Sequence, residues 1–330
     1  MQRSVAPFFH SRLLKTSFMV RQDEGARPKM MSSDQQHAVL GLALRWLSRS
    51  RKGLSTGRAV SAGAVLLTAM FATATPAHAI DCRRAVGKID RAICSDQALR
   101  SADAAMTAAY AAILKAAGDA EERAALVASQ RRWLATRNKD LGNLDQDDVG
   151  GPARWREILL SATVDRMTAL RRRAPNSPRT FRLIATLRDQ RRFLAGLSGG
   201  PFAGFDTSCN FLPSGDHYVY ACFGRQRYQH KDRVCTTDQE WASGSVSEAR
   251  FFDRVINGKL QSVATCSIGG GRGPACPDPA VPANRAARWG AASGSESAPS
   301  SPLPQLDADV DIDTGAEWLA ACLHGAAIRP

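Results

Sequence analysis

The chain has 330 residues, enough at about 150 per domain for two domains and a sizeable buried core. Hydrophobic residues make up 44% and charged residues 23%, which excludes a collagen, a polytopic membrane protein and a wholly disordered chain. The net charge of +13 suggests a nucleic-acid partner only until it is located: residues 1–79 hold 11 Lys+Arg against 3 Asp+Glu, and the remaining 33 against 28 leave no strongly basic surface.

From Arg49 the chain runs through a basic stretch ending at Arg58, an uncharged stretch from Ala59 to Ala74, and Pro76-Ala77-His78-Ala79. This order of basic region, short apolar region and A-x-A site predicts a signal peptide cut between Ala79 and Ile80. The apolar stretch has 16 residues diluted by Gly, Ser and Thr, short of the roughly 20 that span a bilayer, although an uncleaved anchor is the other reading. Cys82, preceded by Ala79-Ile80-Asp81, does not resemble an acylated lipoprotein cysteine. The expectation is a periplasmic or secreted protein with no stable membrane insertion after cleavage. The 48 residues ahead of Arg49 exceed a normal basic region, with Met30 and Met31 as alternative starts. Gly53-Leu54-Ser55-Thr56-Gly57 matches the G-x-S-x-G nucleophile elbow, but it lies in the leader without the strand and helix that motif needs.

Eight cysteines, at 82, 94, 209, 222, 235, 266, 276 and 322, all follow the expected cut. An even set confined to the exported part reads as disulfides. No two are closer than ten residues, so paired zinc-ligand spacing is absent. The interleaving of His217 and His230 with Cys209, Cys222 and Cys235 is the one arrangement that keeps zinc open. No cofactor or metal is expected.

Residues 80–173 read as a helical domain. Ile89 and Ile93 share one face of a short helix. After Cys94, Ser95 or Asp96 can cap a helix whose stripe is Leu99, Ala102, Met106, Ala109, Tyr110, Ile113 and Ala117. Gly118 breaks it, and Asp119 with Glu122 opens a second helix burying Leu126, Trp133 and Leu134. Asn143 to Gly151 is a loop containing the acidic run Asp145-Gln146-Asp147-Asp148. Pro152 then starts a third helix carrying Trp155, Ile158, Leu159, Ala162, Ala169 and Leu170. Short connections make neighbours antiparallel. Cys82 and Cys94 are 12 residues apart; a straight helix would separate them by about 18 Å, so pairing them requires the segment to fold back, with Gly87 best suited to the reversal.

Asp81-Cys82, the run Ile89 to Cys94, Leu99 with Asp103, Met106 and Tyr110, then Gln130-Arg131-Arg132-Trp133-Leu134 with Arg137 and Asn138, resemble the LprI-type lysozyme-inhibitor N-terminal family over about residues 81–170. Family members commonly carry a further cysteine after the Trp-Leu-x-x-Arg segment and another downstream. This chain reads Asn138-Lys139-Asp140 there and has no cysteine until Cys209. If those two missing cysteines pair together, the resemblance implies a Cys82–Cys94 bridge. It also implies a lysozyme as partner. Between Ile80 and Arg173 there are 17 Lys+Arg and 13 Asp+Glu, so charge steering opposes a basic lysozyme unless the acidic loop makes the contact.

Arg171 to Pro178 is a basic, proline-punctuated break. Residues 174–200 are expected to form a linker and a docking helix, Phe181 to Leu197, capped by Thr180; its basic residues also permit a membrane-surface reading, without the apolar face that needs. Residues 201–330 form a cysteine-rich, mostly β or irregular domain. Tyr218 to Phe223 is strand-like. Asn257-Gly258 between Phe251–Ile256 and Lys259–Cys266 is a hairpin turn. Gly269-Gly270-Gly271-Arg272-Gly273 lacks a following helix, so it reads as a flexible loop that Cys266 with Cys276 can close. Residues 291–306 read as an exposed Ser/Pro-rich linker. Asp307, Asp309, Asp311 and Asp313 alternate like the start of a calcium loop, but Thr314 and Ala320 stand where an EF-hand needs glycine and an acid. A last helix, Glu317 to His324, is capped by Thr314 and ended by Gly325, with Cys322 tying it back.

The fold class is therefore α+β: a disulfide-stapled antiparallel helical bundle followed by a small cysteine-rich domain. Three function classes fit: a periplasmic binding or inhibitor module whose partner is a lysozyme or another envelope protein, an envelope hydrolase, and a structural or stress-related envelope protein without lysozyme activity. His217, His230 and His324 form no catalytic constellation, and a non-enzymatic protein is expected.

Overall fold

Two of the long helices begin at an aspartate that satisfies their first amides. The computed structural model describes residues 80–242, 245–269, 273–277, 288–292, 303–313, 316–325 and 328, all within one compact unit, Phe71–Pro330. Residues 1–79, including Gly53 to Gly57 and the expected cleavage residue Ala79, lie outside the described residues. Asp96 caps α2 (Gln97–Ala116) by accepting from the Ala98 and Leu99 amides at 2.8 and 3.0 Å. Asp119 caps α3 (Ala120–Thr136) through the Glu122 amide at 2.8 Å. Pro152 occupies the first turn of α4 (Pro152–Arg171), where its missing N–H costs nothing. The short α1 (Lys88–Ser95) turns Ile89, Ala92 and Ile93 inward. Leu99, Met106 and Ile113 of α2, Leu126 and Trp133 of α3, and Trp155, Leu159 and Leu170 of α4 form the bundle core.

A 3₁₀ turn at Cys82–Arg84 precedes α1, and Cys82 and Cys94 are bonded with Cα atoms 5.5 Å apart. Gly87 has φ −78°, a conformation open to any residue, so the reversal does not draw on glycine's left-handed freedom as the sequence suggested. α3 continues as a π-helical turn, Arg137–Leu141, whose last carbonyl accepts from the Trp155 indole N–H at 2.8 Å.

Glu122 is the second device at the start of α3. It is buried, and its carboxylate accepts from the Gly118 amide at 2.7 Å and from Arg188 Nε at 2.9 Å. Burial pushes this carboxyl up, but the Arg188 and Gly118 hydrogen bonds outweigh that and hold it below the ordinary glutamate range. A depressed folded pKa contributes stability above the unfolded value, about 4.3, and loses it as pH falls through the folded one. Glu122→Gln is therefore expected to cost about 1–3 kcal/mol at neutral pH, with the gap from the parent closing below about pH 4. Urea unfolding across pH checks this; a gap independent of pH would refute it.

The basic break after α4 is not an open linker. β1 (Arg173–Ala174) and β2 (Ser177–Phe181) pair antiparallel as a small ribbon, and α5 (Arg182–Ala195) starts directly from it. Thr180 does not cap α5, contrary to expectation: the N-cap residue is Phe181, with no side-chain cap, and the Thr180 hydroxyl meets Ser177 at 2.8 Å inside the ribbon. α5 docks through Ile184 and Leu187 in the bundle core, and Phe193 sets its ring edge-on to Tyr228 at 5.2 Å.

Beyond α5 the chain forms one antiparallel meander: β3 (Gly204–Ser214), β4 (His217–His230), β5 (Arg233–Ala242), β6 (Ser245–Ile256), β7 (Lys259–Ile268) and the two-residue β8 (Gly290–Ala291). Asn257 (φ 51°) and Gly258 (φ 72°) make the β6–β7 turn, both left-handed as a two-residue hairpin demands. Gly224 permits a close approach, since a Cβ there would lie 2.1 Å from the Asp206 carbonyl oxygen.

Side chains alternate across the meander, and one face does most of the packing. Toward the β3–β4 hairpin, that face places Phe211, Tyr218 and Tyr220 against the bundle, with Phe211 edge-on to Trp133 at 6.3 Å. Further along, Phe205, Tyr228, Cys235, Phe252 and Ala264 pack under α6 (Glu317–His324) through Leu319, Cys322 and Leu323. The N-cap of α6 is Ala316, without a side-chain cap; Thr314, the expected cap, is outside the described residues. Cys209 bonds Cys222 across β3 and β4, Cys235 bonds Cys322, and Cys266 bonds Cys276.

Candidate functional site

Several residues that carried the family resemblance, Asp103, Gln130, Arg132, Trp133, Arg137 and Asn138, line a polar seam at α3 and α4. On α3, Ser129, Gln130, Trp133 and Arg137 share the buried face. On α4, Arg166 occupies a position of the apolar stripe, with its side chain 4% exposed. Its Nε donates to Gln130 Oε1 at 2.9 Å and its Nη2 to Ser129 Oγ at 2.8 Å. The Arg137 and Arg166 guanidinium carbons lie 5.3 and 6.0 Å from the Trp133 ring centre. Arg137 Nη1 stands 3.7 Å from Asp103, and its Nε and Nη2 donate to Asn138 Oδ1. Burial lowers the Arg137 guanidinium, opposed by Asp103.

Asp103 answers Arg137, while the anions for the buried Arg166 and the half-buried Arg132 come from a distant segment. Arg132 grips Asp307 with two nitrogens at 3.0 and 2.7 Å and reaches Asp309 at 2.7 Å. Asp309 also accepts from Ser129 Oγ at 2.7 Å and lies 3.5 Å from Arg166 Nη1. Gln190 of α5 holds the backbone of this segment: its amide nitrogen donates to the Asp307 and Val310 carbonyls at 2.8 and 2.6 Å, and its oxygen accepts from the Asp307 amide at 3.0 Å. Thr186 and Arg182 engage Asp311. Asp307, Asp309 and Asp311 thus clamp the segment onto arginines of α3, α4 and α5. This seam is closed within the chain and offers no free guanidinium fork to a partner.

The other candidates resolve as follows. Trp133 and Trp155 are 1% and 3% exposed and belong to the core. His217 pairs with Asp216, and His230 stacks edge-on against His324 at 4.6 Å. Among the described residues, the one grouping of potential ligands close enough to share an ion is Cys209, Cys222 and Asp309, and its two sulfurs are bonded to each other. Of the loop between Cys266 and Cys276, Gly270 to Arg272 lie outside the described residues, and at its end the Ser267 amide donates to the Pro274 carbonyl at 2.8 Å. Ile80 packs on the bundle, and its backbone nitrogen sits 3.3 Å from Asp103 Oδ2.

The acidic loop is exposed on the helical layer. Asp145, Asp147 and Asp148 are exposed, while Leu144 and Val149 pack inward. Asp145 Oδ1 accepts from the Asp147 amide at 3.0 Å, and Lys88 Nζ donates to the Leu144 carbonyl at 3.0 Å. Gly150 and Gly151, at φ 91° and 100°, carry the chain from this loop into α4. The loop is therefore held in shape with three carboxylates facing solvent, an arrangement that can meet a cationic surface.

Sequence reasoning found this loop by composition and missed the seam. The available signal was Arg166, a cation at a core-spaced position of α4, which demands a buried anion from elsewhere. Residues 82–174 match the family model of the lysozyme inhibitor LprI, a match that begins at the first bonded cysteine, spans α1 to α4 and stops before α5. Comparisons with the curated proteins and with the solved structures return no match.

Proposed function

We infer that this is an exported, non-enzymatic protein of the periplasm or extracellular space that binds a lysozyme through the helical layer, with the loop Asp145 to Asp148 as the contact. The match of residues 82–174 to the lysozyme-inhibitor family carries this reading. Four disulfides suit an oxidising compartment. Cleavage after Ala79 would turn the Ile80 nitrogen, 3.3 Å from Asp103, into an ammonium beside that buried carboxylate, a reason for the processed end to be held. Among the described residues no helix is long and apolar enough to cross a membrane. Because the family-matched segment carries more basic than acidic residues, the loop's three carboxylates are the part suited to a basic partner.

The test is peptidoglycan turnover by a panel of lysozymes with the processed, oxidised protein and a reduced control. Dose-dependent inhibition is expected, lost on reduction and weakened about tenfold or more by Asp147→Lys with Asp148→Lys. No inhibition at micromolar protein would sink the reading and leave a structural envelope protein. Inhibition unaffected by the charge reversals would move the contact away from this loop.

A further inference from the structure

The sheet face that packs under α6 extends beyond the helix. The row Tyr228, Cys235, Phe252 and Ala264 is covered. Beside it, Gln226, Thr237, Arg250 and Cys266 form one row, and Gln239, Glu248 and Ile268 form the next. Apart from the fully buried Cys266, these two rows floor a cavity of about 930 Å³, with Trp289 and Trp318 on its walls. That volume lies toward the upper end of the range for ligand pockets, about 300–1,000 Å³. The same face continues to Trp241, Val246 and Ile268, which are 38%, 49% and 45% exposed.

The polar groups in the floor are already ordered. Glu248 accepts from Gln239 Nε2 at 3.0 Å and from Arg250 Nε at 2.7 Å. The Arg250 guanidinium lies over the Trp318 ring, 4.6 Å from its centre. Tyr228 donates to Gln226 Oε1 at 3.0 Å. Charge is matched in pairs, Glu248 by Arg250 and Asp311 on the rim by Arg182. The cleft therefore offers planar hydrogen-bonding groups beside flat aromatic surface, with little net field from these pairs. Asp313 and Glu317 add acceptors at its edge.

A ligand that fits this combination has an apolar face, many hydroxyl donors and no negative charge of its own. We propose that the cleft between the open rows of the sheet and α6 binds a short glycan chain. Trp318 and Trp289 pack against the sugar rings, and Gln239, Glu248 and Arg250 bond the hydroxyl and amide groups. Trp241 extends the path beyond the cavity, which favours a chain of rings over a single one. The site lies wholly outside the segment matched to the inhibitor family, so it stands apart from lysozyme binding.

The experiment is a titration of the processed, oxidised protein with chitotetraose and with cellotetraose, read by tryptophan emission and calorimetry, with spermidine as a cationic probe. Saturable binding of at least one tetrasaccharide is expected, weakened about tenfold by Gln239→Ala, the weight of one good contact, and at least as much by Trp318→Ala. Circular dichroism shows whether each variant is folded, and Gln239→Ala carries the test if Trp318→Ala is not. Asp147→Lys is expected to leave the titration unchanged, which separates this site from the acidic loop. No saturable response at about millimolar sugar, equal affinity in folded Gln239→Ala, or binding of spermidine alone would each overturn the proposal.

Discussion

Asp309→Ala is expected to cost about 3–5 kcal/mol in urea unfolding, the penalty for stranding a buried cation. The Asp309 side chain is 4% exposed and faces Arg132, Arg166 and Ser129 together. Its removal leaves Arg166, also 4% exposed, with only neutral acceptors at Gln130 and Ser129. Arg166→Met should cost less, because Asp309 keeps Arg132 at 2.7 Å. The double change Arg166→Met with Asp309→Leu should recover much of the loss, since it removes both charges and replaces them with apolar volume. A cost below about 1 kcal/mol for Asp309→Ala would place the seam among ordinary surface ion pairs and refute its role as the clamp between segments.

Replacing Cys235 and Cys322 together with alanine should be the most damaging of the four bridge deletions. Their separation is 87 residues, against 12, 13 and 10 for the others. In the chain-entropy account a loop near that length is worth roughly 4–5 kcal/mol and the shorter ones about 3 kcal/mol. The bridge also fixes α6 over Tyr228 and Phe252, so the variant should expose that row and lose the wall formed by Trp318. Thermal unfolding of the four paired-alanine variants, with hydrogen exchange on β4 and β6, measures both effects. Equal losses across all four would contradict the loop-length order.

Much of the helical layer was legible because its signals are local. Asp96, Asp119 and Pro152 each act within one turn of the helix they begin, and the stripes of α2 and α4 recur at the helix's own period. Asn257-Gly258 likewise acts on its own two residues. The strands were less legible. β4 was read only at Tyr218 to Phe223, whereas it runs from His217 to His230, because its later packing face mixes Gln226 with Tyr228 and breaks the apolar alternation. That mixture is the floor of the cleft. Thr180 had the chemistry of a cap and was drawn instead into the β1–β2 ribbon.

The amino-acid sequence by itself determined the helices, the hairpin turn and the acidic loop, since caps, periodicity and turn residues act over a few positions. Only the tertiary structure decided where the alternating aspartates go. Asp307 and Arg132 are 175 residues apart, and nothing near either one requires the other. Their pairing follows from the low-dielectric seam that forms when α4 buries Arg166 against α3. A cation there must be met by an anion, and the fold brings Asp309 to it.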